Sequence, residues 1–201
     1  MKPSIASLRL DTRGWIDRGE EEADAAHVWA TPEGDAVVLY FCGGPPTIPA
    51  CGTVEELSAF YRDAIARAGA EMVECRVEAV AGARAVMVFM KAPQQPHGRL
   101  YQGSYTVPFR DFSFVVKVQC PEHGTTGVRE AILFDLRMQA GEQPRLDGGP
   151  PFAGWDPDAA EHDARFPTHP LSRARRLLEH VRRRTTIDEA VARLPRFDLP
   201  V

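Results

Sequence analysis

The chain has 201 residues, 44% of them hydrophobic and 26% charged, with a net charge of -4 at pH 7. That is the composition of a soluble globule, long enough for one well-buried domain and a smaller appendage. The mild charge gives no global attraction to nucleic acid or a membrane surface, and no apolar run reaches the roughly 20 residues of a membrane span.

The opening stretch, MKPSIASLRLDTRGW, lacks the apolar core of a signal peptide, so a cytoplasmic location is expected. Lys stands only at Lys2, Lys91 and Lys117, the other basic residues being Arg, a bias typical of GC-rich bacterial coding. Residues 5–10 and Val28–Ala30 read as strands. The turn TPEGD after them leads into AVVLYF, the makings of a hairpin. Next comes FCGGPPTIPACGTVEELSAFY, residues 41–61. A phosphate loop needs backbone N–H groups, but Pro45, Pro46 and Pro49 each remove one, and no G-K-[ST] follows. The loop therefore reads as a stiff connector. Thr53 is a natural N-cap with Glu56 three residues on, Leu57, Tyr61, Ala64, Ile65 and Ala68 share a face, and Gly69 is the stop.

A long β region follows. MVECRVEAV runs to a turn at Ala81-Gly82 and ARAVMVFMKA returns. After PQQPHG, RLYQGSYTV and DFSFVVKVQC form two more strands about a turn at Pro108-Phe109-Arg110. A second helix is predicted over 127–139, capped by Thr125 or Thr126, with Val128, Ile132 and Leu136 on its apolar face. Residues 141–170 are dense in Gly, Pro and Asp and read as a loop anchored by Phe152, Trp155 and Phe166. A third helix begins near Leu171 with Pro170 at its first position. Its stripe is Leu171, Ala174, Leu177, Leu178 and Val181. A short last helix is predicted from Thr186, where T-I-D-E has capping-box spacing. This order specifies an α+β fold, a central antiparallel sheet flanked by helices, with a C-terminal helical extension. The division expected is a domain over 1–140 and an extension over 141–201 docked on it.

Three stretches, LRLDTRGW, TVEELSAFYRDAI and LYQGSYTVPFRDFSFVVKVQCPEHGTTGVREA, resemble the PsbP-like family over about residues 5–140. That family comprises the photosystem II extrinsic protein, a Ran-binding nuclear import factor and various bacterial proteins. The resemblance implies an α/β/α sandwich and a binding or assembly role, with no shared active site and no statement about the extension.

Chemistry-bearing residues fall in four places. Cys51 lies just ahead of a helix N-terminus, where a thiolate is stabilised, but no His is near it in sequence. Cys42, Cys75 and Cys120 show no C-x-x-C spacing with it, and Cys75 and Cys120 read as small buried hydrophobes. Asp156, Asp158, Glu161, His162, Asp163 and His169 crowd one loop, in a spacing that matches neither an EF-hand nor a zincin helix. Arg173, Arg175, Arg176, Arg182, Arg183 and Arg184 crowd the third helix without the aromatic interleaving of a base-stacking surface. Tyr101, Tyr105, Phe109, Phe112 and Phe114 line the last hairpin. Phe109 at its turn, beside Arg110, is expected to be exposed. The reading is a non-enzymatic protein-binding domain, an adaptor, chaperone or immunity-type partner. The contact residues expected are Tyr101, Tyr105, Phe109, Arg110, Arg175 and Arg182. No catalytic set, metal site or cofactor is expected, and no nucleic-acid or membrane partner. The alternatives are a small enzyme using Cys51 or the 156–169 loop, and nucleic-acid contact through helix 171–184.

Overall fold

The computed structural model describes residues 2–21 and 26–200. A 3-10 turn, Ile5–Ser7, leads into strand β1 (Leu8–Arg9). Then come β2 (Ile16–Glu21), β3 (Ala26–Ala30), β4 (Ala36–Gly43), helix α1 (Val54–Arg67), β5 (Glu71–Val80), β6 (Ala83–Pro93), β7 (Arg99–Pro108) and β8 (Phe112–Pro121). Helix α2 (Val128–Gln139), a 3-10 turn (Ala160–His162), helix α3 (Pro170–Arg184), β9 (Thr186–Ile187) and helix α4 (Glu189–Ala192) complete the order. Among the described residues seven strands form one antiparallel sheet, in the order β2-β3-β4-β8-β7-β6-β5. Strands β1 and β9 pair separately. The fold is α+β, an antiparallel sheet between helices, and none of the described helices is long and apolar enough to cross a membrane.

Strand β6 shows why there are helices on both sides. Its Ala85, Met87 and Phe89 join Tyr101, Tyr105 and Val107 of β7 and Phe114, Val116 and Val118 of β8 in one buried cluster. Its Val86, Val88 and Met90 join Leu57 and Ile65 of α1 in another. Successive side chains of a strand point to opposite faces, so a nearly continuous apolar run must be covered twice. Helix α3 supplies the first cover: its Leu171, Ala174, Leu178 and Val181 are buried over β7 and β8. Close approach there depends on Gly103. A Cβ at that position would stand 2.5 Å from the Phe89 ring and 2.7 Å from Leu178.

Local signals act as their chemistry requires. The Thr53 hydroxyl accepts the Glu56 N–H at 3.2 Å, and the Glu56 carboxylate accepts the Gly52 N–H at 2.8 Å. Ala81 and Gly82 both take positive φ, 49° and 73°, as a two-residue hairpin turn with the strand twist demands.

Several elements differ from the expectation. Strand β2 was not foreseen, because Asp17, Arg18, Gly19 and Glu20 give it no apolar alternation; it is an edge strand, where polar residues discourage further pairing. Residues 5–7 are 3-10, not strand. Helix α2 starts after Gly127 in the left-handed region (φ 78°) with no side-chain cap, so neither Thr125 nor Thr126 caps it. It turns Arg129 and Leu133 inward and leaves Val128 and Ile132 exposed. Thr186 pairs with Arg9 in the β1–β9 ladder, and α4 starts from Asp188.

Candidate functional site

The hairpin aromatics are not a surface. Tyr101, Tyr105 and Phe109 are exposed by 1%, 2% and 0%, which corrects their assignment as contact residues. They occupy the sheet face that α3 covers, and the alternate positions Gln102, Ser104 and Thr106 face the other way, half-exposed. The Tyr105 hydroxyl donates to Glu78 at 2.5 Å, and burial, with that carboxylate beside it, pushes the phenol pKa well above its usual value. Phe109 lies under the Arg196 guanidinium, 4.2 Å from ring centroid to Cζ. Arg110 is exposed beside Asp111.

The arginines of α3 are mostly engaged within the protein. Arg173 forks onto Asp35 (2.8 and 2.9 Å) and donates to the carbonyls of Thr168 and Pro121. Arg175 turns inward to Asp163 (3.1 Å) and the Asp158 carbonyl (2.7 Å), so it is not the outward contact residue expected. Arg182 and Arg183 share Glu179, whose carboxyl they hold down at about 2, the Arg182 hydrogen bond first. Asp35, Asp163 and Glu179 thus offset part of the charge on this helix, and Arg176 donates to the Pro167 carbonyl.

The carboxylates and imidazoles of 156–169 do not converge. Asp158 is buried against Lys91 at 2.5 Å. Asp163 accepts from Arg129, Ser172 and Arg175. Asp156 accepts the Asp158 N–H. His169 caps α3, its Nδ1 accepting the Leu171 N–H at 3.3 Å, and burial, then the Arg129 charge, push its pKa down to about 4. Among the described residues no three His, Cys, Asp or Glu side chains come together as a metal site. Cys51 packs at the margin of the Ile48–Leu57–Leu199 cluster, and all four cysteines are free thiols.

A residue with no signal in the sequence organises this region. Arg129, one position into α2, is 1% exposed. Its guanidinium donates to the carbonyls of Pro157 (2.7 Å) and Ala159 (2.8 Å), to Asp163 (2.9 Å) and to the Ser172 hydroxyl (3.1 Å), with the Phe166 ring 5.6 Å away. It thereby ties α2, the 151–165 segment and α3 together. A buried guanidinium is stable only with such a complete set of acceptors. The aromatic anchors also hold the segment: Phe152 is buried, and Phe134, Phe152 and Trp155 pack at centroid distances of 5.1 to 6.4 Å.

Between α2 and this clamped segment lies a groove of about 490 Å³. Leu133, Leu136 and Trp155 give it an apolar floor, and Arg137, Glu142, Asp156, Glu161, His162 and Arg165 stand around it. Arg137 pairs with Glu142 at 2.6 Å and lies over the Phe152 ring. The lining carries no thiol and no hydroxyl side chain.

No known protein family matches the sequence, and no curated protein does. Solved structures similar to the chain include the Ran-binding protein Mog1p of Saccharomyces cerevisiae, at 12% identity, covering 89% of this chain and 88% of that one, with a TM-score of 0.45. The cyanobacterial PsbP protein of Synechocystis is similar at 14% identity, over 68% of this chain and 90% of that one, with a TM-score of 0.35. A protein of Bacteroides thetaiotaomicron is similar at 8% identity, over 62% and 42%, with a TM-score of 0.40.

Proposed function

We propose that the chain is a protein-binding module that seats a short segment of its partner in the groove between α2 and the 151–165 segment. The observation that carries this reading is the groove's apolar floor, Leu133, Leu136 and Trp155, left open inside a charged rim. Its 490 Å³ lies in the range of sites that enclose a large side chain and its flanking backbone. An apolar floor supplies affinity, while a rim of both signs sets register and orientation. Adaptor, chaperone and immunity-type roles all reduce to a contact of this kind. The groove also rests on rigid supports, the buried Arg129 network on one side and the Phe134–Phe152–Trp155 cluster on the other, so little ordering is left to be done on binding.

Display selection on the whole protein tests the reading. Ala140 lines the groove and is exposed, so Ala140→Trp fills the groove without disturbing the core. Peptides selected on the unaltered protein should carry a large apolar residue and bind Ala140→Trp at least about tenfold more weakly, a loss of about 1.4 kcal/mol. Equal binding to both proteins would place the contact elsewhere and end the proposal.

A further inference from the structure

We infer that a second cavity, between the N-terminal ends of α2 and α3, binds a phosphate monoester. It encloses about 390 Å³, and Arg165 stands on the wall it shares with the groove. Its polar lining consists almost wholly of hydrogen-bond donors. Among the described residues Arg165 makes no side-chain ion pair or hydrogen bond, and neither does His123. Thr125 and Thr168 add hydroxyls. His169 adds a donor whose identity the geometry settles: Nδ1 accepts the Leu171 N–H, so the proton of the neutral ring sits on Nε2. That Nε2 is buried and has no partner in the protein.

The lining holds one carboxylate, Glu122, and both its oxygens are already occupied, by the N–H of Arg99 (3.1 Å) and of Gly127 (3.3 Å). Arg129 and Arg173 also line the cavity, paired with Asp163 and Asp35. The carboxylate that neutralises Arg129, Asp163, is shared with Arg175, so two guanidiniums draw on one strong acceptor. Two helices of 12 and 15 residues also begin here, adding positive ends of their dipoles. Arg165, His123, Thr125 and Thr168 are exposed donors, whereas the buried His169 Nε2 lacks an acceptor, and an acceptor-rich group entering here would engage both kinds. A carboxylate brings two oxygens, whereas a phosphate monoester brings three and a charge near −2, and so can serve more of these donors at once. The inference does not rest on the peptide-groove reading, since none of its donors except Arg165 lines the groove.

The probes are inorganic phosphate, O-phosphoserine and a phosphoserine-containing peptide, titrated into the full chain and followed by amide chemical shifts. All three should give saturable shifts confined to residues 122–130 and 165–172, with acetate giving none. Arg165→Gln, at an exposed side chain without contacts in the protein, should keep the melting temperature and weaken phosphate binding about tenfold or more. Arg145→Gln, outside the cavity, should leave binding unchanged. Ala140→Trp should also leave it unchanged, so failure of the groove reading and failure of this one are separable. Tighter binding of the phosphopeptide than of free phosphoserine points to a phosphorylated partner, and equal binding to a small phosphorylated metabolite. Linear, unsaturable shifts, or phosphate binding untouched by Arg165→Gln, overturn the proposal.

Discussion

Helix α3 buries aliphatic side chains against the sheet, whereas helix α2 buries a guanidinium. On α3, Leu171, Ala174, Leu178 and Val181 are removed from water on one face. Buried area is a large part of its seat, each buried Leu being worth roughly 1.5–3 kcal/mol, and Arg173 and Arg175 add ion pairs to Asp35 and Asp163. On α2, Arg129 and Leu133 face inward while Val128, Ile132 and Met138 stay exposed by 40% or more. The orientation of α2 follows the need to satisfy a charged group once it is inside, because an unpaired buried guanidinium costs more than a few exposed aliphatics. Packing dominates on the first helix and acceptors on the second, and each scheme fails under a different substitution.

The largest effect is expected from Arg129→Ala. It leaves Ser172 and the Pro157 and Ala159 carbonyls without their donor and should destabilise the protein by about 3–5 kcal/mol, the usual cost of removing one partner of a buried pair. Proteolysis and amide exchange should show the loss first in residues 151–170. If those residues stay protected, the α2 clamp is not what holds them.

Leu178→Ala comes next, at about 2–5 kcal/mol for a packed Leu truncated in place. We expect it to lower one cooperative denaturation transition, because the 141–201 extension and the sheet share one buried cluster through Leu171, Leu178 and Val181. Two separate transitions would make the extension an independent unit.

A pH test is smaller in size and sharper in sign. The folded-state pKa of His169 is about 4, below its ordinary 6.5, so as pH falls the unfolded chain takes up the proton first. The contribution of the neutral ring is fully present above about pH 6.5 and is lost as pH falls through the window to 4. His169→Asn keeps a good N-cap and cannot titrate, so it should flatten the stability-versus-pH curve within that window and leave the curve above it nearly unchanged. An unaltered slope would mean that His169 is charged in the folded protein.

The smallest effect is expected at Ile132. Ile132→Ser, on the exposed face of α2, should change stability by no more than about 0.5 kcal/mol. A cost like that of Leu178→Ala would mean that α2 is covered by something in solution.

Much of the fold is legible in the chain itself. Thr53 with Glu56, Gly69, Ala81-Gly82 and Pro170 mark element ends by interactions within a few residues, and the structure places caps, stops and turns there. Alternation in β7 and β8 is equally local. The candidate site is far less legible. Tyr101, Tyr105 and Phe109 have the composition of a contact patch, and only the docking of α3 shows them to be core. Nothing near Arg129 in sequence marks it, since its acceptors lie 28 to 43 residues away. The free position of Arg165 likewise becomes visible only when its neighbours are in place.

The sequence by itself determined the kinds of element, their order and most of their ends, because periodicity, capping and turn geometry are settled between residues a few positions apart. Tertiary structure alone decided which face of the sheet α3 covers, which way α2 turns, and where the two cavities open. Those outcomes depend on satisfying buried charge and covering apolar surface across long separations, and a buried guanidinium such as Arg129 draws its partners from wherever the chain returns.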